Sequence, residues 1–308
     1  MAAGIVLSLI GTIFHVSFMV PRRYCACVVK YYYTSLTAGA IFGGIVIEYF
    51  RSFFGQRLGL PVNLTTLLAG IILGITWAIA CFTYIQGTEL IGLSRATALK
   101  NYTAVIGLLI GIIGFGEFRQ MSWFMFDLVL VGCLVMMGAG AVLAHTLPAG
   151  QLASANKWRG ILYSLVAAVF FAIYATEVKL VAPRIMTVDH IPLATAWGGF
   201  LGAGALLYFT KGKKGVIDWF RMPAIEHCCA VASGFLWLMG TYCMTAGIQL
   251  AGIGIAWAVT PFGTVFSVLI GLKIFHEIEP YRQRTKLRLG IIGSLASVIL
   301  LLFIFKPS

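Results

Sequence analysis

The chain has 308 residues, of which 60% are hydrophobic and only 10% charged, with a mean hydropathy of +0.95. A water-soluble domain carries about 25% charged residues to solvate its surface, so this composition excludes a soluble globule and describes an integral membrane protein. The net charge of +12 sits mostly in short connections such as Arg22-Arg23, Lys211 to Lys214 and Arg282 to Arg288, where anionic headgroups and topology account for it better than nucleic acid.

A helix needs about 20 mainly apolar residues to cross the hydrocarbon core. Ten segments satisfy this, roughly 3–21, 31–50, 65–86, 92–116, 123–146, 160–181, 192–210, 227–248, 254–276 and 286–305. Helix is expected throughout, because open strands in lipid leave backbone groups unpaired. The first segment lacks a basic stretch before Gly4 and a small-residue cleavage site, so it reads as a retained span and not a signal peptide. Pro21, Pro61, Pro148, Pro192, Pro223 and Pro280 fall at segment boundaries. Pro261 instead lies inside the ninth segment, before Phe262-Gly263, and predicts a kink or a freed carbonyl there.

Five segments precede the polar stretch Leu147 to Trp158 and five follow it. The expected organisation is a first five-helix half over 1–146, a linker over 147–159 and a second half over 160–308. The halves are related. Trp77 falls on Trp237, Gly87 on Gly247, Gly92 on Gly252, Gly111 on Gly271, Phe115 on Phe275 and Glu117 on Glu277, at a constant offset of 160. The first spans match in a frame of 156, Gly4 to Leu9 against Gly160 to Leu165. An odd number of spans per half forces the second to start on the opposite side, so the repeat is an inverted one. Many secondary transporters are built this way, with the substrate held between the halves.

Lys and Arg favour the odd-numbered connections: Arg22, Arg23, Lys30, Lys157, Arg159, the Lys211–Lys214 cluster, Arg221 and the Arg282–Arg288 cluster, against Arg51, Arg57, Arg119 and Arg184 in the even ones. The positive-inside rule then puts both termini outside. The seven cysteines, including Cys25-x-Cys27 and Cys228-Cys229, lack zinc-site spacing and read as small apolar filler.

Two stretches resemble a known group. Val16-Ser17-Phe18-Met19-Val20-Pro21-Arg22-Arg23 closes the first span, and Ala251-Gly252-Ile253-Gly254-Ile255-Ala256-Trp257 leads through Gly271 to Ile274-Phe275-His276-Glu277-Ile278 in the ninth. With ten spans in two halves, these resemble the drug/metabolite transporter superfamily, and within it the glucose/ribose-porter and rhamnose–proton symporter branch. His15, where that branch tends to have a small residue, and Lys100-Asn101 depart from its pattern. The resemblance implies a ten-helix secondary transporter with cytoplasmic termini, the reverse of the charge count.

An ionisable side chain at the centre of a span costs about 2.5–3.5 kcal/mol on insertion scales, so each needs a reason. His15 lies deep in the first span and suits proton exchange, although it could equally stay neutral and donate to a nearby carbonyl or hydroxyl. Lys100, beside Asn101 in the fourth span, could hold a substrate's carboxylate or phosphate, or pair with an intramembrane acid. Glu177, near the end of the sixth span, is a proton carrier if buried and an interfacial partner of Lys179 if not. Glu117 and Glu277 close their spans and read as interfacial anchors, and Glu48 and Asp127 as residues near span ends.

Trp77, Tyr84, Trp237, Tyr242 and Trp257 offer aromatic faces on which a sugar ring could pack, with Gln249, Thr241 and Thr260 adding hydrogen bonds. There is no Walker loop, metal-spaced cluster or nucleophile elbow, so neither an enzyme nor a cofactor is expected, and uphill transport must draw on an ion gradient or exchange. The expectation is a multi-pass protein of the cell (inner) membrane, monomer or homodimer, that takes up a small polar solute, preferably a sugar with a proton. An exporter of amino acids or other small metabolites on the same fold is the alternative, and a scaffold or receptor without flux a third. A reporter tag inserted within Leu147 to Trp158 should map to the opposite membrane face from one at the N-terminus; the same face for both would mean an even span count per half.

Overall fold

The computed structural model describes residues 2–53, 64–115, 122–146, 154–181, 184–187, 190–251, 259–277 and 280–304. Among these the regular structure is entirely helical: α1 (Ala2–Ser17), α2 (Val29–Phe53), α3 (Leu64–Ile91), α4 (Leu93–Lys100), α5 (Tyr102–Phe115), α6 (Trp123–Ala144), α7 (Ser154–Val181), α8 (Ile191–Phe220), α9 (Ala224–Ala251), α10 (Phe262–Lys273) and α11 (Pro280–Ile304), with a single 3-10 turn at Pro21–Tyr24. Among the described residues, six stretches are long and apolar enough to cross a membrane: Ala2–Tyr24, Leu64–Ile91, Phe126–Ala144, Asn156–Val181, Ile191–Phe220 and Ala224–Gly247. The protein is an integral, multi-pass membrane protein. α2 has the length, but its first turns carry Tyr31–Tyr33, Thr34, Ser35 and Thr37. Most of these hydroxyls turn inward: Tyr32 bonds Ser233, Tyr33 donates to the Ala78 carbonyl at 3.0 Å, and Ser35 bonds His227 Nδ1 at 2.8 Å.

Several elements differ from the expected spans. The fourth is broken at Asn101: α4 ends at Lys100 and α5 starts at Tyr102, with no proline involved. The Asn101 amide donates to Thr264 Oγ1 at 2.7 Å, a partner outside its own helix. α3 passes into α4 through Gly92 alone, whose φ of +88° is open to glycine and strained for other residues. α10 starts directly after Pro261, while 252–258, including Trp257, lie outside the described residues. α8 turns at Gly212 (φ +66°), so its last residues form a separate piece that docks Trp219 Nε1 on Ser35 Oγ at 2.8 Å. α7 begins at Ser154, within the stretch read as linker.

The packing interleaves the two ends of the chain. α3 lies along α7 and α8, α9 along α1 and α2, α2 against α8, and α6 along α11. Lipid tails are as apolar as leucine, so close van der Waals approach has to hold such helices together. Glycine provides it. A side chain at Gly74 would overlap the backbone of Gly198 and Gly199, and one at Gly234 would overlap the Leu36 carbonyl and the backbone at Gly39 and Ala40. Toward the other end of the same two helices, Gly87 lies over Ser164 and Gly160, and Gly247 over Ser8 and Gly4. Ser164 and Ser8 each donate to the carbonyl four residues back, at 2.9 Å.

Gly74→Val and Gly234→Val should each destabilise the purified protein by about 1–3 kcal/mol or more, since neither backbone partner can move aside. Gly138→Ala, which enters open space among the described residues, should melt like the wild type. Thermal melting in detergent separates the two groups, and equal melting would remove the glycine crossings as the main packing device.

Candidate substrate site

Trp77 on α3 and Trp237 on α9 lie against each other, with ring centroids 4.0 Å apart and planes inclined at 37°. Both are buried, and Gly199 leaves room for the Trp77 ring, which a side chain there would strike. The Trp77 indole N–H is buried without a hydrogen-bond partner among the described residues. Tyr33 continues the aromatic contact, its ring 6.3 Å from that of Trp77.

His15 approaches from α1, with its ring 6.4 Å from Trp237 and Nε2 3.1 Å from Thr241 Oγ1. The Thr241 hydroxyl donates to the Trp237 carbonyl at 3.1 Å. Its single proton is thereby used, so His15 Nε2 carries a hydrogen and donates to Thr241. Nδ1 is then the open nitrogen of the neutral ring. Gly240 admits the imidazole, since a Cβ there would fall 2.6 Å from His15 Cδ2.

Lys100 is the last residue of α4. Its ammonium lies 6.0 Å from the Tyr84 ring centroid and 5.5 Å from that of Phe171. Neither an ion pair nor a hydrogen bond to Nζ occurs among the described residues. Two aromatic faces offset part of the cost of a cation in this setting. The Tyr84 hydroxyl shares a hydrogen bond of 2.6 Å with Thr97, one turn before Lys100. Tyr84 lies two turns along α3 from Trp77 and in one buried cluster with Trp77 and Trp237, so the end of α4 at Lys100 adjoins the aromatic core.

Other expected residues stand elsewhere. Thr76 donates to Glu177 Oε1 at 2.9 Å, and Oε2 is buried with no partner among the described residues. Glu177 faces an apolar cavity of about 360 Å³ between α3 and α7, lined by Leu68, Ala69, Ile72 and Leu180. Thr76 and Trp77 are about 100° apart around α3, so this acid lies round the helix from the tryptophan pair. The Tyr242 hydroxyl donates to Glu48 Oε1 at 2.9 Å, and Arg51 reaches the same oxygen at 3.1 Å. The Gln249 side chain, Trp257 and Glu117 lie outside the described residues.

Glu277 does more than close its span. Its carboxylate accepts the backbone N–H of Leu93 at 2.5 Å and of Ser94 at 3.1 Å, capping the first turn of α4 from the far half of the chain. The chain reaches back through His276 in a left-handed turn (φ 52°), with the Glu277 N–H on the Gly271 carbonyl at 3.0 Å. A side chain at Gly92 or Gly271 would strike this carboxylate. Beside it, buried Arg95 donates from Nε to the Thr146 carbonyl and hydroxyl, both at 3.0 Å, and from an Nη to the Ile91 carbonyl at 2.6 Å. Sequence reasoning passed over Arg95. A charged residue so near the start of a span was the available signal.

Glu226 similarly accepts the N–H of Ala26 and of Cys27, each at 3.0 Å, pinning the α1–α2 connection to α9. Burial, then the Glu226 carboxylate beside it, pushes the Cys27 thiol up to about 12, so it stays protonated at neutral pH. Cys25 and Cys27 are half-buried members of this connection and not filler within a span.

Apolar helices of membrane-crossing length thus pack around a paired aromatic core, the architecture of a multi-pass membrane protein. The chain belongs to the sugar transport protein family, whose model matches residues 33–304. It is 24% identical over 270 residues to the probable glucose uptake protein GlcU of Bacillus cereus, covering 87% of this chain and 88% of that protein. The glucose uptake protein GlcU of Bacillus subtilis is 23% identical over 273 residues, with the same coverage, and a putative sugar uptake protein of Streptococcus agalactiae is 22% identical over 272 residues, covering 86% of each chain. A solved crystal structure, 13% identical, superposes over 97% of each chain with a TM-score of 0.58, a likeness of fold alone.

Glu277→Ala should leave the Leu93 and Ser94 N–H groups unpaired and cost about 1–3 kcal/mol, while Glu277→Gln, which keeps an acceptor, should lose less. Melting of the two variants in detergent gives the order, and an unchanged midpoint for the alanine variant would rule out the cap as a stabilising contact.

Proposed function

We propose that the protein is a sugar transporter of the cell membrane, built from ten spans in two inverted five-helix halves, that takes up its substrate with a proton by alternating access. The observation that carries this reading is the tryptophan pair, one ring from the third span of each half. Several features support the inverted repeat. α3 meets α7 and α8 as α9 meets α1 and α2, and α2–α8 and α6–α11 each join equivalent spans. Gly39 and Gly199, which receive the opposite half's third span, keep the offset of 160 seen for Gly74 and Gly234. The boundaries proposed for the halves remain 1–146 and 160–308.

A sugar presents C–H faces to aromatic rings and hydroxyls at its edge. The pair, with Lys100, Asn101, His15, Thr241 and the open Trp77 N–H around it, offers both kinds of contact. Rings 4.0 Å apart leave no space for a sugar between them, so entry must part α3 from α9. Because each ring belongs to a different half, that parting is the rocking that alternates access. The glucose uptake relatives support a hexose as the substrate.

For the coupling, the open Nδ1 of His15 would take the proton while substrate occupies the site and release it on the other side. Glu177, a carboxylate with one oxygen unpartnered, is the second candidate. Trp77→Ala and Trp237→Ala should each lower labelled-glucose uptake into proteoliposomes by about tenfold or more, the loss of roughly 1.4 kcal/mol or more of binding. His15→Gln should abolish accumulation driven by a proton gradient yet keep exchange of labelled for unlabelled sugar. Gradient-driven accumulation that survives in both His15→Gln and Glu177→Gln would end the proposed proton role of these residues.

A further inference from the structure

We propose that the sugar this protein prefers is an acidic one, a monosaccharide bearing a single carboxylate such as a uronate, with the carboxylate held by Lys100. The inference rests on the sugar-transport reading and narrows its substrate class.

Among the described residues, most charged groups inside the protein have at least one partner there. Arg22 pairs with Glu89 at 2.8 Å and Glu48 with Arg51 at 3.1 Å. Arg95 spends its Nε and one Nη on backbone carbonyls and Thr146, Glu277 caps α4, and Glu177 accepts from Thr76. Lys100 differs. Its ammonium carries three donors and meets no acceptor among the described residues, only the faces of Tyr84 and Phe171. Ring faces attract a cation without a lone pair aimed at any one of its hydrogens, so they hold Lys100 in place and leave its donors to something else. The setting adjoins the candidate site: Lys100 ends α4 at the break, next to Asn101, with its ammonium over the Tyr84 ring of the helix that carries Trp77.

A neutral hexose would supply hydroxyl acceptors and no balancing charge. A carboxylate supplies both, in a medium where an unbalanced ion is costly. The charge count selects a carboxylate over a phosphate ester. One ammonium matches one negative charge, whereas a phosphomonoester carries about −1.5 to −2 and wants a second permanent cation. Arg95, five residues before Lys100 and so about 140° round α4 from it, is directed elsewhere: its Nε and one Nη meet the Thr146 and Ile91 carbonyls, and its other Nη has no partner among the described residues.

The test uses the full-length protein in proteoliposomes, with labelled D-glucuronate and labelled D-glucose as paired probes and glucose 6-phosphate as competitor. D-Glucuronate should be taken up at least about tenfold more efficiently than D-glucose. Lys100→Gln should shift the glucuronate-to-glucose ratio about 10- to 100-fold toward glucose, the scale of a lost charge-assisted hydrogen bond, and Lys100→Arg should restore part of it. A wild type that prefers glucose, a ratio unmoved by Lys100→Gln, or stronger competition by glucose 6-phosphate than by glucuronate would each overturn the inference while leaving a sugar transporter in place. Failure of both sugars to enter would overturn the sugar-transport reading and this inference with it. Melting of the wild-type protein in detergent needs no variant: glucuronate should raise the midpoint more than equimolar glucose, and the reverse order counts against the proposal.

Discussion

Two helix crossings stripped of side chains hold the rest of this structure in place. Gly74 of α3 sits on the Gly198–Gly199 backbone of α8, and Gly234 of α9 sits on the Leu36–Ala40 backbone of α2. Inside lipid the hydrophobic effect does not drive one helix onto another, so contact density has to do so, and backbone against backbone is the densest contact available. One turn beyond each glycine comes a tryptophan, and the crossings bring these two rings to 4.0 Å. The central aromatic pair is thus a consequence of how closely the helices approach. Gly199, at the same crossing, is also what admits the Trp77 ring.

The second constraint is electrical. A broken span exposes helix ends inside the protein, and each end leaves unpaired N–H or C=O groups that need partners. At the start of α4 those partners come from the other half of the chain, through Glu277. Three residues of the internal repeat converge there: Gly92 provides the turn, Gly271 the clearance and Glu277 the carboxylate. These three residues therefore have a structural reason independent of ligand binding. The far end of α4 is treated differently. Asn101 finds Thr264, and Lys100 is left with aromatic faces and open donors. One short helix has its first turn built for stability and its last turn available for recognition.

Much of this was legible beforehand, and the failures are instructive. Apolar run lengths located α1, α6 and α9 to within a few residues, because hydrocarbon thickness sets the length of a span directly. His15, Lys100 and the two tryptophans stood out because each is anomalous at its own depth in the membrane. The break at Asn101 was invisible, since asparagine interrupts a helix only when a partner such as Thr264 is in place. The capping role of Glu277 was not legible because the donors it accepts from, the N–H groups of Leu93 and Ser94, lie 184 and 183 residues away. Tyr242 and Glu177 looked like their aromatic and acidic counterparts in sequence, yet the faces of α9 and α3 that carry them turn toward Glu48 and toward the α3–α7 cavity.

By itself the sequence determined that this chain lives in a membrane, is helical, and is internally repeated. All three follow from local quantities: transfer free energy per residue, the need to pair every backbone group in lipid, and identity at a fixed offset. Only the tertiary structure decided which polar residues face one another. Such pairings as His15 with Thr241, Glu277 with α4 and Trp77 with Trp237 join residues far apart in the chain, and which faces meet is set by where the glycines let helices touch.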